Sequence, residues 1–241
     1  MDNGIIMKTL IIIPAYNEAL NLPAVIEDLR NCCPESDIIG VNDCSCDNTA
    51  SVFESLNVPY LDLSVNLGIG GAVQAGYKYA LKNDFDIAVQ FDGDGQHKAE
   101  YIKALIEPIE NNLADIVIGS RFIDRKGFQS SACRRLGIHF LSQLIKWFSG
   151  ADIKDVTSGM RAVNSRMIAL YADNYPQDYP EPDAILMGAL QGAKIAEVPV
   201  QMRERVSGES SINAAKSIYY MFKVSLSLMI SKITLKKRIK K

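Results

Sequence analysis

The chain has 241 residues, of which 48% are hydrophobic and 22% charged. That is enough for one large α/β domain with a substantial core, and too apolar for extended disorder. Its formal charge of −2 hides an asymmetry: Lys236 to Lys241 carry +5, leaving −7 on residues 1–235, which excludes general nucleic-acid binding by the body and suits a catalytic unit held near an anionic surface.

The first strand candidate is residues 9–13, and Pro14-Ala15-Tyr16-Asn17-Glu18 follows it. A helical stretch over 18–31 leads to a second strand, 37–42, which ends at Asn42-Asp43. Cys32, Cys33, Cys44, Cys46 and Cys133 are odd in number and show no C-x-x-C spacing. With no signal peptide expected, they read as free thiols of a reducing cytoplasm. A helix over 47–56, a strand over 59–63 and a helix over 70–82 come next. Gly68-Ile69-Gly70-Gly71 fails the G-x-G-x-x-G dinucleotide spacing, because Val73 stands where the third glycine belongs. The glycines serve a close backbone approach to a ligand or a loop-to-helix turn.

The fourth strand candidate, 86–91, runs directly into Asp92-Gly93-Asp94, with Gln96 two residues further on. Two carboxylates and an amide oxygen on one short loop can share a hard divalent cation with faces left for phosphate oxygens. Asp-Gly after a strand also makes an ordinary turn. His97 is then a ligand, a diphosphate contact, a helix cap or a surface residue. A helix over 99–111 and a strand over 115–118 complete a repeated β-α alternation. This pattern predicts an α/β/α sandwich with a mostly parallel sheet, whose first four strand ends all open on one edge.

Residues 124–131 read as a loop over a site, His139 as structural and Trp147 as core or membrane-interface. A helix over 183–191 and a strand over 193–200 follow. Arg121, Arg134, Arg161, Arg203 and Arg205 offer planar guanidinium groups matched to phosphate oxygens. The last helix, 212–235, repeats Ile212, Ala215, Tyr219, Phe222, Leu226, Met229 and Ile233 at three- and four-residue steps, with Lys223, Ser227 and Ser231 largely opposite. With the basic cluster behind it, such a helix lies in an anionic membrane interface or packs on its own domain. No apolar run reaches 18 residues.

Taken together, Pro14–Glu18, Asn42–Asp47, Asp92–Gln96 and Gly119-Ser120-Arg121 resemble, in order, the signatures of family 2 glycosyltransferases over about residues 8–212. Asp155-Val156-Thr157-Ser158-Gly159-Met160-Arg161 and Arg205-Val206-Ser207-Gly208-Glu209-Ser210-Ser211 are similar to the polyprenyl-phosphate sugar synthase branch. The resemblance implies a GT-A fold in a catalytic domain at 1–211, with a helix and tail at 212–241. It implies inverting transfer from a nucleotide-diphosphate sugar, UDP-linked by preference, onto a polyprenyl (undecaprenyl) phosphate. By the same resemblance Pro14, Ala15, Tyr16, Glu18 and Asp43 face base and ribose, and Asn66, Gly70 and Gly93 line the donor. Asp92, Asp94 and Gln96 hold Mg²⁺ or Mn²⁺ against the diphosphate. Arg121, Arg134, Arg205, Ser210 and Ser211 receive the acceptor phosphate, and Asp94, Arg121, Asp183 and Arg205 are the catalytic candidates. Asp183, or Glu181 beside it, is a base if the acceptor is a sugar hydroxyl of a growing polysaccharide, and an orienting group if it is phosphate.

Two departures stand out. Asn42-Asp43 replaces an Asp-Asp pair, and one amphipathic helix stands where many relatives carry two or more membrane helices. Peripheral attachment to the cytoplasmic face of the cell membrane, a small membrane-protein partner or a homo-oligomer would compensate. An inactive nucleotide-binding regulatory protein is the alternative of another class. A nucleotidyltransferase is disfavoured, because its glycine-rich amino-terminal phosphate loop is absent.

Overall fold

The computed structural model describes residues 7–124, 132–178, 180–203 and 214–239, the side chains of 132–134, 214–220 and 235–239 excepted. Seven strands form one sheet: β1 (Thr9–Ala15), β2 (Asp37–Asn42), β3 (Tyr60–Asp62), β4 (Ile87–Gln90), β5 (Ile116–Ser120), β6 (Arg161–Asn164) and β7 (Ile195–Pro199). Eight helices cover it: α1 (Leu22–Cys32), α2 (Thr49–Ser55), α3 (Gly68–Lys82), α4 (Ile102–Glu110), α5 (Ala132–Ser149), α6 (Ser165–Asp173), α7 (Pro180–Leu190) and α8 (Ala214–Ile239).

The strand order is β3-β2-β1-β4-β6-β5-β7, with β1 parallel to β2 and β4, β2 parallel to β3, and β5 parallel to β7. β6 runs antiparallel between β4 and β5. Sequence patterning did not anticipate β6 or α6. A four-residue strand that opens on Arg161 and ends on Asn164 has neither an apolar run nor a clean alternation.

β1 shows why the sheet is covered twice. All seven of its residues are buried, and successive side chains leave on opposite faces. Leu10 and Ile12 join the core under α3, α5, α6, α7 and α8, while Ile11 and Ile13 join the core under α1, α2 and α4. On the first face α3 lies so close to β1 that a Cβ on Gly76 would come within 2.2 Å of Ile12 Cγ2. The parallel strands bring the loops after β1, β2, β3 and β4 to one edge, as their alternation with helices predicts.

α8 packs on α7 and α5, with Val224 and Leu228 buried. The apolar stripe read from its sequence does not face the domain. Phe222, Leu226, Met229 and Ile233 are exposed, and Ser227 and Ser231 on the other side reach the carboxylate of Asp183. α5 adds Leu136, Phe140 and the 75%-exposed Trp147 to the uncovered apolar residues, and Lys232 lies over the rings of Trp147 and Phe148. The core placement of Trp147 is therefore corrected. Among the described residues no helix is long and apolar enough to cross a membrane.

Candidate active site

Pro14, Ala15, Tyr16, Glu18, Asp43, Ile69, Ala72, Asp92, Gly93 and Asp94 line one cleft of about 230 Å³ at the carboxyl edge of the sheet. The loops that build it are tied to one another. Asn17, at a left-handed φ of 57°, accepts from the Cys46 amide through Oδ1 and donates its own amide to Ser45 Oγ. The Glu18 amide donates to Thr49 Oγ1. Asp43 is buried; its Oδ1 accepts the Leu67 amide at 2.7 Å and its carbonyl accepts from Asn66 Nδ2. Asn42 turns away to bond Asp62, so the residue that breaks the Asp-Asp pattern supports the loop while Asp43 lines the cleft.

α3 begins at the same edge. A Cβ on Gly70 would lie 2.1 Å from the Pro176 carbonyl oxygen and 2.3 Å from that of Gln177. Gly70 therefore admits the 174–178 segment against the start of α3. Its neighbours Ile69 and Ala72 line the cleft.

Asp92 is held from three sides. The Gln90 amide donates to Oδ1 at 3.3 Å, His97 Nε2 lies 3.1 Å from Oδ2, and Gly159 abuts the carboxylate so closely that a Cβ there would be 2.4 Å from Oδ2. Burial alone would raise the Asp92 carboxyl. The hydrogen bond and charge of His97 outweigh it, with help from Gln90 and Arg161, and hold the group below its ordinary value. His97 is itself buried against Phe91, so its place is behind a carboxylate and not on a helix cap. Asp94 Oδ1 accepts the Gln96 amide at 3.0 Å, and the Gln96 carbonyl accepts the Arg203 amide.

Among the described residues no three His, Cys, Asp or Glu side chains stand together as a metal cluster. The donor set does fit a hard cation: two carboxylates, Asp92 and Asp94, line the same cleft, and the amide oxygen type of Gln96 matches their preference for Mg²⁺ or Mn²⁺.

Arg121 does not extend a bare guanidinium toward an acceptor. Nε and Nη2 grip both oxygens of the fully buried Asp155 at 2.7 and 2.6 Å, and Nη2 also donates to Thr157 Oγ1 at 2.9 Å. Burial would lower the Arg121 pKa; the Asp155 pair outweighs it and holds it above its ordinary value. Arg203 pairs with Asp28 at 3.1 Å. Arg205, Ser210 and Ser211 lie outside the described residues, as do the side chain of Arg134 and nearly all of the 124–131 loop.

Of the two acidic candidates on α7, the structure separates the pair. Asp183 accepts hydrogen bonds from Ser227 and, at 3.3 Å, Ser231. It lines a cavity of about 500 Å³ between α7, α8 and the 174–178 segment, away from the cleft. The oxygens of Asp183, a catalytic candidate from the sequence, are thus engaged by α8. Glu181 instead feels the charges of Arg161, Asp92 and Arg121, and burial pushes its carboxyl up against the opposing pull of Arg161. Two residues along a helix turn a side chain through about 200°, so a spacing of two puts these carboxylates on opposite sides.

Gln90 was not singled out by motif, and Asp155, Gly159 and Arg161 stood within one without the contacts that the structure gives them. Each is a polar residue or glycine at the end of a strand or in the turn before one. The available signal was a glutamine closing an otherwise apolar strand beside the acidic doublet.

The fold resembles that of glucosyl-3-phosphoglycerate synthase from Mycobacterium tuberculosis, solved with Mn²⁺, uridine diphosphate and glucosyl-3-phosphoglycerate. The TM-score is 0.70 at 16% identity, over 94% of this chain and 80% of that one. By sequence the chain is 33% identical over 216 residues to an undecaprenyl-phosphate mannosyltransferase of Micrococcus luteus, covering 86% of this chain and 88% of the relative. It is 29% identical over 228 residues to a polyprenol monophosphomannose synthase of Mycolicibacterium smegmatis, covering 90% and 86%. Residues 10–169 match the profile described as glycosyl transferase family 2. With the GT-A-like sheet and the loops that carry its signatures, the chain belongs to glycosyl transferase family 2.

Proposed function

We propose that the protein transfers a hexose from a nucleotide-diphosphate sugar, UDP-linked by preference, onto a polyprenyl phosphate at a membrane surface, with inversion at the anomeric carbon. The observation that carries this reading is the shared cleft of Asp43, Asp92 and Asp94 at the sheet's carboxyl edge, in a chain whose relatives over most of their length are named for transfer to lipid phosphates.

In this reading Asp43 and the Pro14–Glu18 loop receive the nucleoside, Asn66 and Gly93 line the donor, and Gly70 seats the 174–178 segment beside it. Asp92, Asp94 and Gln96 would hold Mg²⁺ or Mn²⁺, which when bound neutralises charge developing on the departing diphosphate. One acceptor phosphate oxygen attacks the anomeric carbon; the bond from that carbon to the nucleoside diphosphate breaks, and the diphosphate departs with the electron pair. A phosphate oxygen is already anionic at neutral pH, so the step asks for positioning and charge screening and not for proton removal. Glu181 orients the sugar, and Arg121, oriented by Asp155, supplies positive charge on the acceptor side with Arg134, Arg205, Ser210 and Ser211.

The uncovered apolar residues of α5 and α8, flanked by Lys146, Lys223 and Lys232, form the face that meets the membrane. We place it on the cytoplasmic leaflet, with the basic residues Lys236–Lys241 adding attraction to anionic lipid. Purified protein with Mn²⁺, labelled sugar nucleotide and undecaprenyl phosphate should yield a label that is organic-soluble and acid-labile. Label confined to hydrophilic glycan would overturn the acceptor assignment. Raising of the melting temperature by UDP above that by GDP or dTDP, each with Mn²⁺, supports the donor preference, and the reverse order replaces it.

A second reading has its own observation. Glu181, pushed upward by burial beside the cleft, is suited to act as general base toward a sugar hydroxyl. Under that reading the same assay labels a polysaccharide acceptor.

A further inference from the structure

Arg161 is a fully buried arginine that neither the nucleoside contacts nor the acceptor contacts use. Its Nη2 donates to the Ser158 carbonyl at 2.7 Å and its Nη1 to the Glu181 carbonyl at 3.4 Å. Among the described residues Nε has no partner, and no carboxylate forms an ion pair with the guanidinium. A charge in that position is costly to bury.

What it touches has a pattern. Ser158 precedes Gly159, the residue packed against the Asp92 carboxylate. Glu181 is the α7 acid that feels Asp92 and Arg121. In the β4–β6 ladder Arg161 stands opposite Gln90, whose amide donates to Asp92 Oδ1 and whose Oε1 accepts from the Tyr175 hydroxyl at 3.5 Å. Tyr77, Tyr171 and Tyr175 pack on one another with centroids 5.2 to 5.4 Å apart, and all three feel the arginine charge. The Ser158–Gly159 turn that abuts Asp92 and the first turn of α7 are therefore joined through one side chain.

We propose that Arg161 is a positioning residue for sugar transfer: by tying the Ser158–Gly159 turn to the first turn of α7, it fixes the Asp92 carboxylate and Glu181 relative to each other. It acts through those groups and touches neither substrate nor cation. The assignment rests on the proposed transferase function for its activity readout, and on Mn²⁺ binding for a readout that does not.

The test compares Arg161→Met and Arg161→Lys with the wild type. The dissociation constant of Mn²⁺ is measured by calorimetry in the presence of UDP, together with kcat for transfer to undecaprenyl phosphate and the melting temperature. Groups that orient a metal ligand from behind are worth roughly 10- to 100-fold in metal affinity or activity. Arg161→Met should therefore fold, raise the Mn²⁺ constant about tenfold and lower kcat at saturating Mn²⁺ by about 30-fold or more. Arg161→Lys keeps the charge but reaches only one carbonyl, and should recover part of each. In a Glu181→Gln background Arg161→Met should cost little further kcat, because the two act as a unit. Unchanged Mn²⁺ affinity with a lowered melting temperature would show a merely structural arginine and overturn the proposal. So would fully multiplicative effects with Glu181→Gln, or failure of both Arg161 variants to fold. A wild type that binds Mn²⁺ and UDP but labels no lipid would sink the acceptor reading alone, leaving the Mn²⁺ comparison to decide on Arg161.

Discussion

Gly159→Ala is the sharpest perturbation the structure offers. An added Cβ would lie 2.4 Å from Asp92 Oδ2, 3.0 Å from Oδ1 and 3.1 Å from Cγ, whereas ordinary contacts begin near 3.4 Å. The carboxylate must then withdraw by about 1 Å. It cannot withdraw without loosening the 3.1 Å contact with His97 or the 3.3 Å bond from Gln90. A displacement of about 1 Å at a reacting centre costs on the order of 10²-fold in rate, equivalent to about 2.7 kcal/mol of barrier. Crowding in a packed site adds a stability loss of about 1–3 kcal/mol. The assay is initial-rate transfer of labelled sugar to undecaprenyl phosphate across a Mn²⁺ titration. The expected result is a kcat loss near 10²-fold and weakened Mn²⁺ activation. Gly137→Ala is the control, because the nearest atoms to its Cβ all belong to the flexible Met221 side chain, with sulfur at 2.8 Å. If Gly159→Ala turns over within about threefold of wild type with unchanged Mn²⁺ dependence, Asp92 does not occupy this position in the working enzyme, and the three-sided support fails as an explanation.

Four further outcomes follow from the same geometry. Glu181→Gln should lower kcat by at least tenfold while Asp183→Asn stays within about threefold; a larger loss for Asp183→Asn in steady-state rates would make it the catalytic carboxylate instead. Burial raises the Asp183 carboxyl above its ordinary 3.8, with Ser227 and Ser231 opposing. The folded state then holds the proton more tightly, so this group's contribution to stability is fully present at low pH and falls as pH rises from that ordinary value through the raised one. Asp183→Asn should flatten the slope of melting temperature against pH in that window, and an unaltered slope would refute the assignment. Gly70→Ala should raise the donor KM and lower the melting temperature, because its Cβ would drive the 174–178 backbone off α3; wild-type values on both measures would show that this contact is dispensable. Replacing Trp147, Phe222 and Ile233 together by Ser should reduce sedimentation with anionic vesicles by at least tenfold while preserving Mn²⁺ binding; undiminished sedimentation would remove the proposed membrane face.

Much of the donor side is legible in the sequence because it depends on local order. Four apolar runs alternating with helices force parallel strands, and parallel strands deliver the residues after each run to a single edge. Pro14, Asp43, Asp92 and Asp94 meet in one cleft for that reason alone. The supports behind Asp92 are not local in this sense. Gly159 and Arg161 reach the site because β6 inserts antiparallel between β4 and β5, and a strand reading Arg-Ala-Val-Asn carries no periodic signal by which to place it. Arg121 was legible as a cation, but its pairing with Asp155 spans 34 positions and follows from tertiary placement.

The last helix shows how far a pattern alone can mislead. Its three- and four-residue repeat correctly marks an amphipathic helix, yet the periodicity gives no direction, and hydrophobic stripes ordinarily face the core. Here the serine side faces inward because Asp183, buried on α7, needs hydroxyl donors that Ser227 and Ser231 supply, while the stripe is left outward with Trp147 beside Lys232. That inversion connects the two halves of the proposed function. Along α7, Glu181 feels the charges of Arg161, Asp92 and Arg121, while two residues later Asp183 holds the helix that carries the apolar face. In the proposed function, one short helix thus carries both the carboxylate that orients the sugar and the one that holds the helix of the apolar face.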